Sequence, residues 1–189
     1  MAFTPRLNSN GMANNLHWYS YDNPYYPDYG LPNCTAYAWG RFWEIGDPNN
    51  TGANKPNPNE LPGYWDGGYW WREVDTSVYD TGQIPELGAV ACFWDEDGGG
   101  YGGHVSIVEE IDSVNGTITT SNSAYQSTYF YTQTLYASNN YNWVGGNGHH
   151  YTFQGFIYNP FGESPNPPYL PIKSKFPWVL YARKLRSRY

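Results

Sequence analysis

IPELGAVACFWDEDGGGYGGHVSIVEEI, residues 84–111, holds two apolar runs of strand length on either side of an acidic, glycine-rich turn. Ala89–Trp94 and His104–Ile111 are rich in β-branched and aromatic residues and bounded by Gly or Asp, as strands are. A third run, Thr117–Ser121, follows VNG at 114–116, which reads as a hairpin turn. Further strands are expected at Tyr125–Tyr136 and His150–Tyr158, while TGQIPELG at 81–88 reads as a turn. Upstream, Thr35–Ile45 lacks proline and sets Ala36, Trp39 and Trp43, or Ala38 and Phe42, at helical spacing before Gly46 ends the run. A second short helix is expected around Tyr64–Glu73. Helices followed by short antiparallel strands argue an α+β domain, with short N-terminal helices packed on an antiparallel sheet of about five to six strands.

The flanks are less regular. Residues 1–30 are rich in Asn, Tyr and Pro and read as a segment wrapping a domain that occupies 1–160. Residues 46–63 are a loop with four prolines. NPFGESPNPPYLP, from Asn159, opens a Pro-rich linker and basic tail over 161–189. Lys173, Lys175, Arg183, Lys184, Arg186 and Arg188 crowd this end, leaving residues 1–172 with four basic against 17 acidic side chains, a net −13 within an overall −7. An acidic body disfavours nucleic acid, whose affinity rests on phosphate neutralisation. The tail suits an anionic surface, a partner protein, or the acidic body itself.

Length suits one domain, and a monomer is the expectation. Aromatic residues make up 20% of the chain and charged ones 14%, the reverse of a disordered composition. Twenty Tyr and nine Trp exceed what a core of this size can bury with each polar tip satisfied, so many should face solvent. GYWDGGYWWRE at 63–73 and YQSTYFYTQTLYASNNYNW at 125–143 can line a groove for a glycan or peptide, with Trp65, Tyr69, Tyr101 and Tyr125 as its candidates; Trp70 and Trp71 are expected to pack inward. No apolar run has the length of a signal peptide or a membrane span, so neither export by this route nor membrane insertion is expected.

Two cysteines are too few for a disulfide scaffold. Cys92, in GAVACFW, reads as a buried strand residue. Cys34, in PNCTAYAWGR, stands at a helix start, where unpaired N–H groups and the macrodipole favour a thiolate and can face an oxyanion, with Asn33 as a further donor. A cysteine nucleophile needs a base. His104 opens an apolar strand after glycines that let another backbone or a substrate come close, whereas His17, His149 and His150 lie in irregular or turn sequence and read as exposed or capping. Asn122, after the next strand, can meet His104 across the pair and orient its ring.

NCTAYAWGR, IPELGAVACFWDEDGGGYGGHVSIVEEI and ITTSNSAY together resemble, in order and spacing over roughly 28–160, the three blocks of the CHAP family of cysteine, histidine-dependent amidohydrolases/peptidases. The third block departs from the family pattern, with Asn122 where Glu is usual and Ala124 where Asn is frequent. The resemblance implies a papain-like α+β fold, Cys34 as nucleophile, His104 as base, and hydrolysis of a peptidoglycan amide. That amide joins muramic acid to L-alanine or lies within the peptide stem or bridge. A phage endolysin or virion-associated lysin, delivered through a membrane lesion or on a virion and with its basic tail meeting a wall polymer or a phage structural protein, is the expected setting; a bacterial autolysin, or a wall-binding module without turnover, are the alternatives. No cofactor is required by such chemistry. Some members of the family hold calcium, for which Asp22 and Asp28 are the candidates here. Neither they nor Asp95, Glu96 and Asp97 match a full calcium loop, and solvated turn carboxylates are the expected reading.

Overall fold

The computed structural model describes residues 2–7, 19, 23–47, 61, 66–98 and 102–162. Three helices, α1 (Tyr26–Tyr29), α2 (Cys34–Gly46) and α3 (Trp70–Glu73), precede seven strands: β1 (Thr81–Gly82), β2 (Val90–Asp95), β3 (Gly103–Asp112), β4 (Thr117–Asn122), β5 (Tyr131–Tyr136), β6 (Trp143–Val144) and β7 (His150–Ile157). They form one antiparallel sheet in the order β1-β7-β2-β3-β4-β5, with β6 paired to β7. The fold is the expected α+β one, short helices followed by an antiparallel sheet. No helix among the described residues is long and apolar enough to cross a membrane.

All five expected strands form, and two-residue strands β1 and β6 bring the number to seven. Thr81 and Gly82, expected in a turn, pair instead with Ile157 and Phe156 at the sheet edge. The strand expected from Tyr125 starts only at Tyr131, because 124–128 closes a turn in which Ala124 N–H donates to Thr128 O at 2.9 Å. The second helix is shorter than expected, a 3-10 turn at Gly67–Tyr69 continuing into α3. Within the expected irregular amino-terminal segment, Ala2 bridges to Glu110 on β3 and residues 26–29 make a helical turn with proline in its first positions. Of the linker and basic tail, everything from residue 163 lies outside the described residues.

The period-two alternation of β3 and β4 sorts their side chains to opposite faces. Val105 and Ile107 join Val90, Cys92 and Ile157 against Ala38, Trp39 and Phe42 of α2. Val108 and Ile118 join Ala91, Phe93, Phe153 and Phe156 on the other face. A bulge between Val108 and Glu110 shifts the β3–β4 register, and Glu109 beside it is buried.

The aromatic content is absorbed differently from expectation. Trp70 is fully buried and Trp71 half-buried against the α2 core, but the indole N–H groups of Trp39 and Trp70 are buried without an acceptor among the described residues. The premise that each buried indole finds a partner therefore fails here: ring burial outweighs the unsatisfied N–H, of which a large indole has only one.

Candidate functional site

Cys34 opens α2. Asn33 is its N-cap: the side-chain Oδ1 accepts from Thr35 N–H at 2.8 Å and Ala36 N–H at 3.0 Å. The cap is itself tied down, since Asn33 N–H donates to Ser123 Oγ at 3.1 Å, and Gln126 N–H donates to Pro32 O at 3.2 Å. The helix start is thus fastened to the end of β4. The Asn33 carbonyl is fully used in capping, leaving only its amide nitrogen as a donor toward substrate.

Cys34 is buried, with 8% of the residue exposed. Burial pushes its pKa up to about 11, although backbone N–H groups of Val105, Thr35 and Cys34 itself face the sulfur and oppose the rise. The Asp66 carboxylate adds to it. The resting thiol is protonated at neutral pH.

His104 lies on β3 beside Val105. Its Nε2 stands 2.9 Å from Asn122 Oδ1, so the pairing expected across β3 and β4 is present. The register explains it: Ile107 faces Ser121, which places His104 and Asn122 diagonally on one face. Asn122 is in turn held by Thr120, to whose backbone O and Oγ1 its Nδ2 donates, each at 3.1 Å. Burial lowers the His104 pKa to about 4 against the opposing hydrogen bond with Asn122. The imidazole is neutral at pH 7.

No hydrogen bond joins the thiol to the imidazole. What connects them is the His104–Val105 backbone, whose Val105 N–H faces the sulfur. The glycines before His104 admit a second backbone: a Cβ on Gly103 would run into Gly68 Cα, and one on Gly67 would lie 3.0 Å from His104 C. The 3-10 turn therefore sits directly against the peptide that carries His104.

Of the proposed groove residues, Tyr69 lies on that 3-10 turn, edge-on to Trp94 at 6.0 Å, and Tyr125 is exposed on the turn after Asn122. Trp65 and Tyr101 lie outside the described residues. Trp143, Tyr151 and Tyr131 also adjoin the site; the first and last fall inside the 125–143 stretch expected to line a groove, and Tyr151 lies beyond it. Trp143 stands edge-on to His104 at 5.4 Å and stacks on Tyr151 at 4.2 Å. Tyr131, paired with Asn122, is pushed up to about 12 by burial, with Cys34 contributing. The signal for the first two was VGGNG at 144–148, a hairpin turn that makes Trp143 and Tyr151 cross-strand partners.

His150 is exposed as expected and His149 is more than a third exposed, but each pairs with a carboxylate; His17 lies outside the described residues. His149 Nδ1 pairs with the buried Asp95 Oδ2 at 2.8 Å, and His150 Nδ1 with Asp97 Oδ2 at 2.8 Å. The pairs clip the β6–β7 hairpin to the turn after β2. Asp28 is exposed and Asp22 lies outside the described residues; among the described residues no three His, Cys, Asp or Glu side chains are grouped to hold a metal ion.

A buried ionic network also escaped the sequence. Arg41 Nε and Nη2 donate to the two oxygens of Glu109 at 2.8 and 2.9 Å, and its Nη1 donates to Glu44 Oε2 at 2.9 Å. Arg6 also pairs with Glu44, and Ser121 Oγ donates to Glu109 Oε1 at 2.7 Å.

Comparison with curated proteins gives no match. Among solved structures the chain is similar to an N-acetylmuramoyl-L-alanine amidase from Staphylococcus aureus, with 21% identity, TM-score 0.44, and coverage of 65% of this chain and 30% of that one. It is also similar to Ly7917, with 16% identity, TM-score 0.44, and coverage of 80% of this chain and 62% of that one. The chain thus spans less than two thirds of either. The CHAP domain model matches residues 20–124, more than half of the sequence, and the protein belongs to the CHAP family.

Proposed function

We propose that the protein is a peptidoglycan hydrolase that cleaves an amide by cysteine nucleophilic catalysis, with Cys34 as nucleophile, His104 as base and Asn122 orienting the imidazole. The observation that carries this reading is the capped helix start bearing Cys34, fastened to the same β4 end whose Asn122 holds His104. Both ionisable partners rest neutral. Attack is accordingly general-base catalysed rather than launched from a standing thiolate–imidazolium pair.

As Sγ bonds to the carbonyl carbon, its proton passes to the His104 nitrogen that does not face Asn122. That proton then goes to the leaving amine as the C–N bond breaks, leaving a thioester. A water deprotonated by His104 attacks the thioester, and the sulfur leaves with the proton. The Thr35 and Ala36 N–H groups are taken by the cap, so the Cys34 backbone N–H, with Asn33 Nδ2 as a side-chain donor, is suited to the oxyanion. Thiol and imidazole are not hydrogen-bonded at rest, and catalytic hydrogen bonds commonly tighten only on substrate. Tyr69 and Tyr125 flank the site as groove residues, and Trp143 with Tyr151 adds a wall beside His104.

Digestion of purified Gram-positive walls with the protein and with Cys34→Ala tests the reading. Cys34-dependent release of fragments is expected, with new L-alanine amino termini identifying an amidase and new stem or bridge termini an endopeptidase. Equal wall binding by both proteins without any fragments would make it a binding module.

A further inference from the structure

Asn122 offers His104 a carbonyl at one end of its amide and a donor at the other, and the two ends look alike in shape. Thr120 breaks the symmetry. It presents two oxygens to Asn122 Nδ2, the backbone carbonyl and Oγ1, each at 3.1 Å. The carbonyl can only accept. The hydroxyl donates its own proton to Gln133 O at 3.4 Å across the β4–β5 pair, which leaves Oγ1 as an acceptor toward Asn122. Both amide protons of Asn122 are therefore engaged, and a flipped amide would set oxygen against two oxygens. Oδ1 must face His104, and an acceptor there requires the proton on Nε2. Thr120 and Asn122 are buried, so water has little access to the hydroxyl of the one or the amide of the other.

We infer that Thr120 is a positioning residue that fixes the His104 tautomer: Gln133 O, Thr120 Oγ1–H, Asn122 Nδ2–H and His104 Nε2–H form one directed chain that leaves Nδ1 bare and basic. The inference rests on His104 being the base of the proposed reaction, but the chain itself is measurable without substrate. Its residues alternate with those serving the opposite face: Thr120 and Asn122 turn to His104, while Ser121 bonds Glu109 and Ser123 bonds the Asn33 cap.

The test is the protonation of the two ring nitrogens, read by long-range proton–nitrogen correlation in 15N-histidine-labelled protein at pH 7, with His104 assigned through His104→Gln. The parent is expected to show only the Nε2–H form. Thr120→Val, which keeps shape but loses the hydroxyl, is expected to show a mixture with Nδ1–H and to lose kcat about tenfold at unchanged KM, as for one lost hydrogen bond. Thr120→Ser is expected to restore both. A parent in the Nδ1–H form overturns the inference whether or not the Val variant folds, as does a folded Thr120→Val with an unaltered tautomer. If the tautomer behaves as expected but walls show no Cys34-dependent cleavage, the hydrolase reading fails while the chain stands.

Discussion

His104 carries the largest electrostatic consequence of any single side chain at the site. Its ring is buried neutral, with a pKa of about 4 against an ordinary 6.5, so the fold resists its protonation. A depressed pKa contributes stability present above pH 6.5 and lost as the pH falls through 4. Filling that window costs on the order of 3 kcal/mol. The drop in urea midpoint between pH 7 and pH 4.5 is expected to be smaller in His104→Gln than in the parent. Asn122 supplies no charge, and Asn122→Asp is expected to raise the His104 pKa. The acid limb of kcat/KM would then move up by roughly 1–2 pH units, as beside a carboxylate; an unmoved limb would show that His104 is not the titrating base. Cys34, His104 and Asn122 were legible in the sequence because each sits at an element boundary with a distinctive neighbourhood. Thr120 was not, since a threonine inside a strand carries no mark of which way its hydroxyl points.

Among the elements, the contact between the 3-10 turn and β3 is the tightest constraint on the site. Gly103→Ala would drive a methyl into the Gly68 backbone, and a drop in wall hydrolysis is expected together with a loss of 1–3 kcal/mol, as for overpacking, measured by urea unfolding. Asn33→Ala removes the cap of α2 and is expected to cost about 1–2 kcal/mol by the same measurement. α2 and the five longer strands were readable because periodicity and turn residues agreed over long runs. β1 and β6 were not, since two residues have no periodicity; each exists only because a neighbour, β7, offers an edge. Glycines at 102–103 did announce a close approach, but the partner is more than 30 positions away and nothing local names it.

Across the whole molecule, Arg41, Glu44 and Glu109 join α2, β3 and the amino-terminal segment, where Arg41 Nη2 also donates to Thr4 O at 2.9 Å. Glu109→Ala leaves Arg41 buried beside one remaining carboxylate. A loss of about 3–5 kcal/mol in urea unfolding is expected, because Glu44 is shared with Arg6 and the buried cluster is left with one positive charge in excess. The Arg at the end of the NCTAYAWGR block was visible in the sequence. Its partner was not, because a glutamate in an apolar strand can equally face water, and only the β3 bulge beside Glu109 decides otherwise.

The two cysteines differ in a way that gives the protein a chemical address. Cys92 is sealed between β2 and its neighbours, with no exposed surface, while Cys34 stands at a helix end and keeps a little. An alkylating reagent added to the native protein therefore finds one sulfur, and uptake should accelerate as the solution becomes more alkaline. Native labelling should stop at one equivalent, and the second should enter only when the sheet comes apart, so a single reagent reports both the helix-end sulfur and the moment the fold is lost.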